Sequence, residues 1–279
     1  MQYFEERDGK LIFRYNGETV QVEAWGQDSL RVRSRVLGEI SEECSALTEE
    51  VAVHDAVISI QGEDSAEITN GRIKAVLYRQ GWGNALQITF YNEKGEVLLQ
   101  EIPNGGALCL KARYFRSLAG GSFYLKASFQ SNDKEKLYGM GQYQQERMNL
   151  KGCNLELAHR NSQASVPFYV SSLGYGFLWN NPAVGEVHFG TNTTEWEAWS
   201  TDQLDYWITA GERPGDIEKN YAEVTGKVPM MPEYGLGFWQ CKLRYYNEQQ
   251  VLDIASEYKK RNIPVDVIVI DYYHWPRCG

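Results

Sequence analysis

The sequence predicts a mainly β fold, an N-terminal antiparallel β-sandwich, followed by a single β-α-β unit at its C-terminal end. Three observations carry that reading. Short runs rich in β-branched and aromatic residues recur from the N-terminus onward. Turn signals such as Arg7-Asp8-Gly9, Asn16-Gly17, Asn70-Gly71 and Glu93-Lys94-Gly95 separate them, as in sheets built from hairpins. Near the C-terminus, one amphipathic helical stretch with cap residues at both ends is followed by an almost wholly apolar run, 265–270. That run has the pattern of a parallel strand buried on both faces.

From the N-terminus, strands are expected at 10–15, 19–25, 30–36, 57–60, 73–78, 85–91 and 97–100. The segment 111–129 adds two or three around Gly120-Gly121. The stretch 135–152 differs, because glycines are mixed with Gln142, Gln144, Gln145, Glu146, Arg147 and Asn149. It suits a surface loop, or a loop that reaches a ligand through its amides. The segment 165–179 reads as two strands joined by Leu173-Gly174, and Asn180-Asn181-Pro182 is a turn. Further strands are expected at 187–191, 196–200 and 204–210. Many short strands joined by tight turns point to a two-sheet sandwich.

The character changes at 212–227. Pro214 fits a first helical turn, and Ile217, Tyr221 and Val224 recur at helical spacing. Gly226 ends that segment, and Pro229 and Pro232 exclude a regular helix or central strand after it. The expected organisation is a sandwich domain over 1–211, a connector over 212–231, and a terminal β-α-β unit over 232–279. In that last part 236–239 reads as a strand. Asn247 caps a helix and Glu248 suits its positive first turn. Val251, Leu252, Ala255 and Tyr258 share one face. Lys259, Lys260 and Arg261 suit the negative end, and Asn262 with Pro264 stops the helix. Asp271 then follows the strand 265–270. In a βα barrel, functional residues sit at that end of the strands.

Composition narrows the function classes. The net charge of −9 argues against a phosphate-backbone binder, which needs clustered Lys and Arg. No apolar run reaches the ~18 residues of a membrane-spanning helix. The start MQYFEERDGK has neither a basic n-region nor an apolar h-region, so the expected location is cytoplasmic. The five cysteines (44, 109, 153, 241 and 278) form no CxxC pair and are read as free thiols. No His/Cys/Asp/Glu spacing suggests a metal, and no cofactor is expected. Gly139-x-Gly141 lacks the third glycine of a dinucleotide fingerprint, and there is no GxSxG elbow. The 18 Tyr and 8 Trp suit a core, and also suit stacking on sugar rings.

Three blocks carry a resemblance. Pro232-Glu233-Tyr234-Gly235-Leu236-Gly237-Phe238-Trp239-Gln240, with Lys242 and Tyr245, continues to Ile263-Pro264-Val265-Asp266, Val269-Ile270-Asp271 and His274-Trp275. Upstream stand Tyr138-Gly139-Met140-Gly141-Gln142 with Leu150-Lys151-Gly152, and Val166-Pro167-Phe168 with Ser171-Ser172-Leu173-Gly174-Tyr175-Gly176. In this order they resemble glycoside hydrolase family 31, the α-glucosidase and α-xylosidase family, over 137–279. The resemblance implies a galactose-mutarotase-like sandwich followed by a (β/α)8 TIM barrel, with 232–279 as the start of that barrel, incomplete. It also implies retaining chemistry, with one Asp as nucleophile and a second as acid/base, ~5–5.5 Å apart. In the family both come from later barrel strands, so neither is expected in this chain, and Asp205 and Asp266 are assigned no catalytic role.

What carries over is Asp271, which the resemblance makes a ligand of sugar hydroxyls in the −1 subsite. An ionised carboxylate accepts two hydroxyls at once through charge-assisted bonds. A helix N-cap or surface carboxylate is the bland alternative. Trp275 and His274 shape the pocket or pack near it. Of Trp239 and Gln240, strand alternation sends only one inward. Lys242 and Arg244 support carboxylates or are solvated, and Asp266 is satisfied by a neighbour. A sandwich loop at 142–146 is a further candidate for reaching the substrate.

The expected function is the N-terminal part of a retaining α-xylosidase or α-glucosidase acting on terminal α-linked sugars, inactive by itself. The alternative is a non-catalytic carbohydrate-binding or structural sandwich. The expected partner is a small carbohydrate, with no nucleic acid and no membrane; a homo-oligomer is compatible with the sequence.

Overall fold

A computed structural model describes residues 3–48, 51, 56–80, 85–105, 107, 110–271 and 274. The chain divides into two compact units, Met1–Lys227 and Val228–Gly279. That division falls inside the stretch 212–231 expected to connect the domains.

In the first unit eight strands form one antiparallel sheet. Their spatial order is Phe4–Arg7, Lys10–Tyr15, Glu18–Ala24, Ser29–Val36, Leu204–Ala210, Tyr175–Trp179, Ala164–Ser171 and Leu137–Gln142. The first two hairpins turn at Asp8-Gly9 and Asn16-Gly17, all four residues having positive φ, as two-residue hairpin loops require. Two five-stranded antiparallel sheets oppose it. One runs Val57–Gln61, Ser65–Asn70, Ile73–Gln80, Ala85–Asn92 and Val97–Gln100. The other runs Arg113–Ser117, Phe123–Gln130, Thr193–Thr201, Gly185–Phe189 and Asn154–Leu157. A bridge between Glu101 and Phe129 connects these two sheets, and the Ile102 N–H donates to Ser128 O at 3.1 Å.

Alternation along these strands sends one set of side chains between the layers. The core is aromatic at its centre. Trp179 stacks on Trp196 at 5.5 Å and Phe177 on Tyr206 at 5.1 Å, while Phe129 meets Tyr206 edge-on at 5.7 Å. Phe90 of the other five-stranded sheet also meets Tyr206 edge-on, at 6.2 Å. Each such pair contributes about 0.5–1.5 kcal/mol beyond area burial.

The outer face of the eight-stranded sheet is covered too. Helix α1 (Pro214–Thr225) buries Ile217 and Val224 with Phe168, Leu178 and Trp207, and Tyr221 stacks on Phe168 at 3.9 Å. The helix found in the expected connector therefore packs on the first unit. Beside it, segment 39–48 crosses the same face without regular structure. Arg33 Nη1 donates to Ser41 O at 2.7 Å, Arg31 Nη2 donates to Glu43 O at 2.7 Å, and the Ala46 N–H donates to Asn180 Oδ1 at 2.9 Å.

Two kinds of difference from the sequence reading appear here. Strands Phe4–Arg7, Ser65–Asn70 and Asn154–Leu157 are additional. Leu137–Gln142 is a strand where a loop was expected, paired with Ala164–Ser171 through an irregular register at Gly139 to Gly141. Gly139 adopts φ 121°, and a Cβ there would sit 2.7 Å from Phe168 O. Its glycines thus permit close backbone approach rather than marking a loop.

The second unit is a β-α-β unit. A 3-10 turn, Glu233–Leu236, precedes strand Trp239–Lys242, helix α2 (Glu248–Lys260) and strand Val267–Ile270, and the two strands pair in parallel. The first strand begins later than the expected 236–239. Pro232 leads into the 3-10 turn instead, with Gly235 N–H donating to Pro232 O at 2.9 Å. Asn247 Oδ1 accepts from Gln250 N–H at 3.0 Å, and α2 is followed by Asn262 at φ 56°. The strand expected to be buried on both faces is half-buried, and Ile270 is 52% exposed.

Candidate functional site

The register of the two parallel strands decides what stands together. Trp239 pairs with Val267, Cys241 with Val269, and Lys242 with Ile270. Asp271 therefore lies just past the C-terminal end of both strands. Alternation puts Phe238 and Gln240 on one face, and that face meets α2. Tyr258 OH donates to Gln240 Oε1, and Phe238 lies 5.9 Å from the Tyr258 ring. Trp239, Cys241, Val267, Val269 and Asp271 take the opposite face.

On that opposite face Cys241 Sγ lies 3.9 Å from Asp271 Oδ2, a thiol donor beside a carboxylate acceptor. Asp271 and Trp239 are both exposed, and Trp239 Nε1 donates to Tyr234 O at 3.1 Å. His274 Nδ1 lies 3.2 Å from the main-chain oxygen of Asp271. The structure thus brings Asp271 and His274 together, with Trp239 on the face of Asp271. Trp275 lies outside the described residues.

The remaining candidates have ordinary partners. Asp266 Oδ2 accepts from Phe238 N–H at 3.0 Å. Lys242 Nζ sits 5.6 Å over the Tyr245 ring, and the Arg244 guanidinium 4.8 Å over Tyr246. In the 142–146 stretch, Tyr143 OH donates to Glu156 O at 2.8 Å, and Gln145 Nε2 donates to Arg147 O at 2.7 Å. Among the described residues no cluster of three His, Cys, Asp or Glu is arranged to hold a metal ion. No helix among them is long and apolar enough to cross a membrane.

Sequence reasoning treated Cys241 only as a free thiol. Its proximity to Asp271 follows from period-two alternation combined with the parallel register. The alternation was available in the sequence, but the register was not. Chemically, the arrangement offers one carboxylate at a strand-end opening, a thiol against one of its oxygens, and an indole on the same face.

Comparison with known proteins bears on this arrangement. Residues 19–187 match the glycosyl hydrolase 31 N-terminal galactose mutarotase-like domain. Residues 228–279 match the glycosyl hydrolases family 31 TIM-barrel domain. The chain is 43% identical to an uncharacterized family 31 glucosidase, ORF2, of Pseudescherichia vulneris, over 98% of this chain and 54% of that protein. It is 32% identical to alpha-xylosidase A of Aspergillus niger, over 99% of this chain and 40% of that protein. Its fold superposes with a TM-score of 0.89 on a GH31 alpha-xylosidase from a soil metagenome, complexed with xylose. That similarity has 46% identity and covers 98% of this chain and 42% of the other. The chain thus spans about half the length, or less, of these relatives.

Proposed function

The chain belongs to glycoside hydrolase family 31, and from that premise we propose that it supplies the sandwich and the first two barrel strands of a retaining α-glycosidase. The complete enzyme hydrolyses terminal α-linked xylose or glucose from oligosaccharides or glycosides. The observation that carries this is Asp271, at the C-terminal end of two parallel strands and on the face turned away from α2. That is where a βα barrel binds substrate.

The roles follow from the side-chain chemistry. Asp271 accepts two hydroxyls of the sugar in the −1 subsite, through charge-assisted bonds. Trp239 offers an apolar ring to the C–H face of a sugar. His274 stands beside Asp271, and Trp275 is assigned to substrate binding from the sequence motif alone. Glycosidic cleavage needs one carboxylate to attack the anomeric carbon and another to protonate the leaving oxygen. Later barrel strands supply both, so the 279 residues alone are inactive.

The test compares two proteins with aryl α-xyloside and aryl α-glucoside. The 279-residue chain should release no aglycone, and a protein carrying this chain followed by a full barrel should release it. In that longer protein Asp271→Ala should lower kcat/KM by about 10²-fold or more, the loss of two charge-assisted bonds. A near-unchanged rate would remove Asp271 from the subsite. Active-site-dependent turnover by the 279 residues would overturn the assignment of the missing carboxylates.

A further inference from the structure

The first unit contains a second feature with sugar-binding chemistry, built without any barrel residue. A cleft of about 390 Å³ opens beside Tyr15, Glu18, Lys111, Arg113 and Phe115. Its volume lies near the lower end of the ~300–1,000 Å³ usual for small-molecule sites, which suits one or two sugar rings.

The base of the cleft is a fixed ion cluster. Arg113 is buried, and its Nη1 donates to both oxygens of buried Glu101. Its Nε donates to Glu18 Oε1 at 2.7 Å, and its Nη2 donates to Leu86 O at 3.2 Å. Ser34 Oγ donates to the same Glu18 oxygen at 2.6 Å. Both bonds to Glu18 thus reach Oε1 and hold the carboxylate in place. Among the described residues Oε2 accepts no hydrogen bond, and the Glu18 side chain keeps 23% of its surface exposed. It is a preorganised acceptor, so little side-chain freedom remains to be lost on binding.

The walls and the charge select the ligand class. Tyr15 and Phe115 are half-buried, each held edge-on at 5.9 Å by an aromatic neighbour, Tyr3 and Phe123. Glu18 and Glu101 are balanced in formal charge by Arg113 and by Lys111, which is exposed at the rim. A formally neutral cleft does not favour an anion or a cation. A fixed acceptor, a cationic donor at the rim and aromatic walls suit a neutral ring with hydroxyls at its edge and C–H groups on its faces.

We infer that this cleft of the first unit is a saccharide-binding site, with Glu18 Oε2 accepting hydroxyls, Lys111 donating at the rim, and Tyr15 and Phe115 packing against a pyranose face. The site goes beyond the proposed hydrolase function, because it lies wholly within the first unit and requires no catalytic carboxylate.

The experiment is a titration of the 279-residue chain with methyl α-xyloside, methyl α-glucoside and isomaltose, followed by amide chemical shifts. Saturable shifts centred on Tyr15, Glu18, Lys111 and Phe115, with a Kd of about 1 mM, are expected for at least one sugar. Tyr15→Ala and Glu18→Gln should each weaken binding about tenfold or more, while Asp271→Ala leaves it unchanged. Absence of saturable shifts, or shifts centred elsewhere, overturns the site. Loss of binding in Asp271→Ala with retention in the cleft variants also overturns it, and places the sugar at the barrel instead. If Glu18→Gln fails to fold, the exposed Lys111→Ala and the wild-type shift map still decide.

Discussion

Asp205 is buried on the outer face of the eight-stranded sheet, under segment 39–48. Burial pushes its pKa up, and the opposing bonds from Arg31 and Asn180 offset only part of that. Arg31 Nη2 donates to its Oδ2 at 2.6 Å, Arg31 Nε donates to Oδ1 at 3.1 Å, and Asn180 Nδ2 donates to Oδ2 at 2.9 Å. The pair is satisfied, so its net contribution over an apolar pair is small. Breaking it is another matter, because Arg31 would remain a buried cation with no counter-charge. Asp205→Ala is therefore expected to cost about 3–5 kcal/mol, read from the midpoint of urea unfolding. Arg31→Met added to it should recover much of the loss. A cost under about 1 kcal/mol would mean that water reaches Arg31 readily. The same scale shows what a sequence conceals. The strand-end position of Asp271 was legible because a carboxylate directly after an apolar strand is a positional signal. Cys241 was not, since its approach to Asp271 depends on the register of two strands whose paired residues, such as Cys241 and Val269, lie far apart along the chain. For Asp205, the sequence reading withheld a catalytic role, and the structure shows the ion pair that occupies it instead.

At the scale of elements, α1 shows how one residue sets a packing distance. Gly176 lies in strand Tyr175–Trp179 beneath the helix, and a Cβ there would meet Ile217 Cγ2 at 2.5 Å and Phe168 Cε2 at 3.0 Å. The objection is steric, since the position is not among the glycines with positive φ. Gly176→Ala should lift α1 from the sheet at a cost of about 1–3 kcal/mol, the range for overpacking. Chemical denaturation would measure it, and in an Ile217→Ala background, which lacks the clashing Cγ2, the added cost of Gly176→Ala should shrink. An unchanged midpoint would show that Ile217 can move aside freely. Which elements could be read beforehand follows the same logic of local against distant causes. Lys10–Tyr15, Leu204–Ala210 and the two strands around Leu173-Gly174 are bounded by local turn chemistry and were expected close to where they lie. Ser65–Asn70 alternates buried Ala66, Ile68 and Asn70 with more exposed residues, a real period of two muted by its polar side chains. Leu137–Gln142 could not be read as a strand, because its glycines are explained only by the backbone of Ala164–Ser171 against them.

The molecule as a whole contrasts two units of different self-sufficiency. The first has a continuous core with fully buried Trp179, Trp196 and Tyr206, and more than enough strands to bury it between two layers. The second is a two-stranded parallel sheet covered on one face by α2, with no fully buried residue in either strand or in that helix. Met230 is 94% exposed, Leu236 79% and Ile270 52%. A sheet of two strands is marginal by itself in water, and an apolar strand with one paired edge is open to exchange. Native-state hydrogen exchange should therefore separate them. Amides of Tyr175–Trp179 should exchange only through global unfolding of the first unit. Those of Val267–Ile270 should exchange at least about 10³-fold faster, through local opening. In a protein that continues into a full barrel, these same amides should gain protection toward the level of the sandwich. Equal protection of both strands in the 279-residue chain would contradict this. It would mean that the second unit, residues 228–279, is stable without later barrel strands, and that the first β-α-β unit can hold Asp271 in place before they join it.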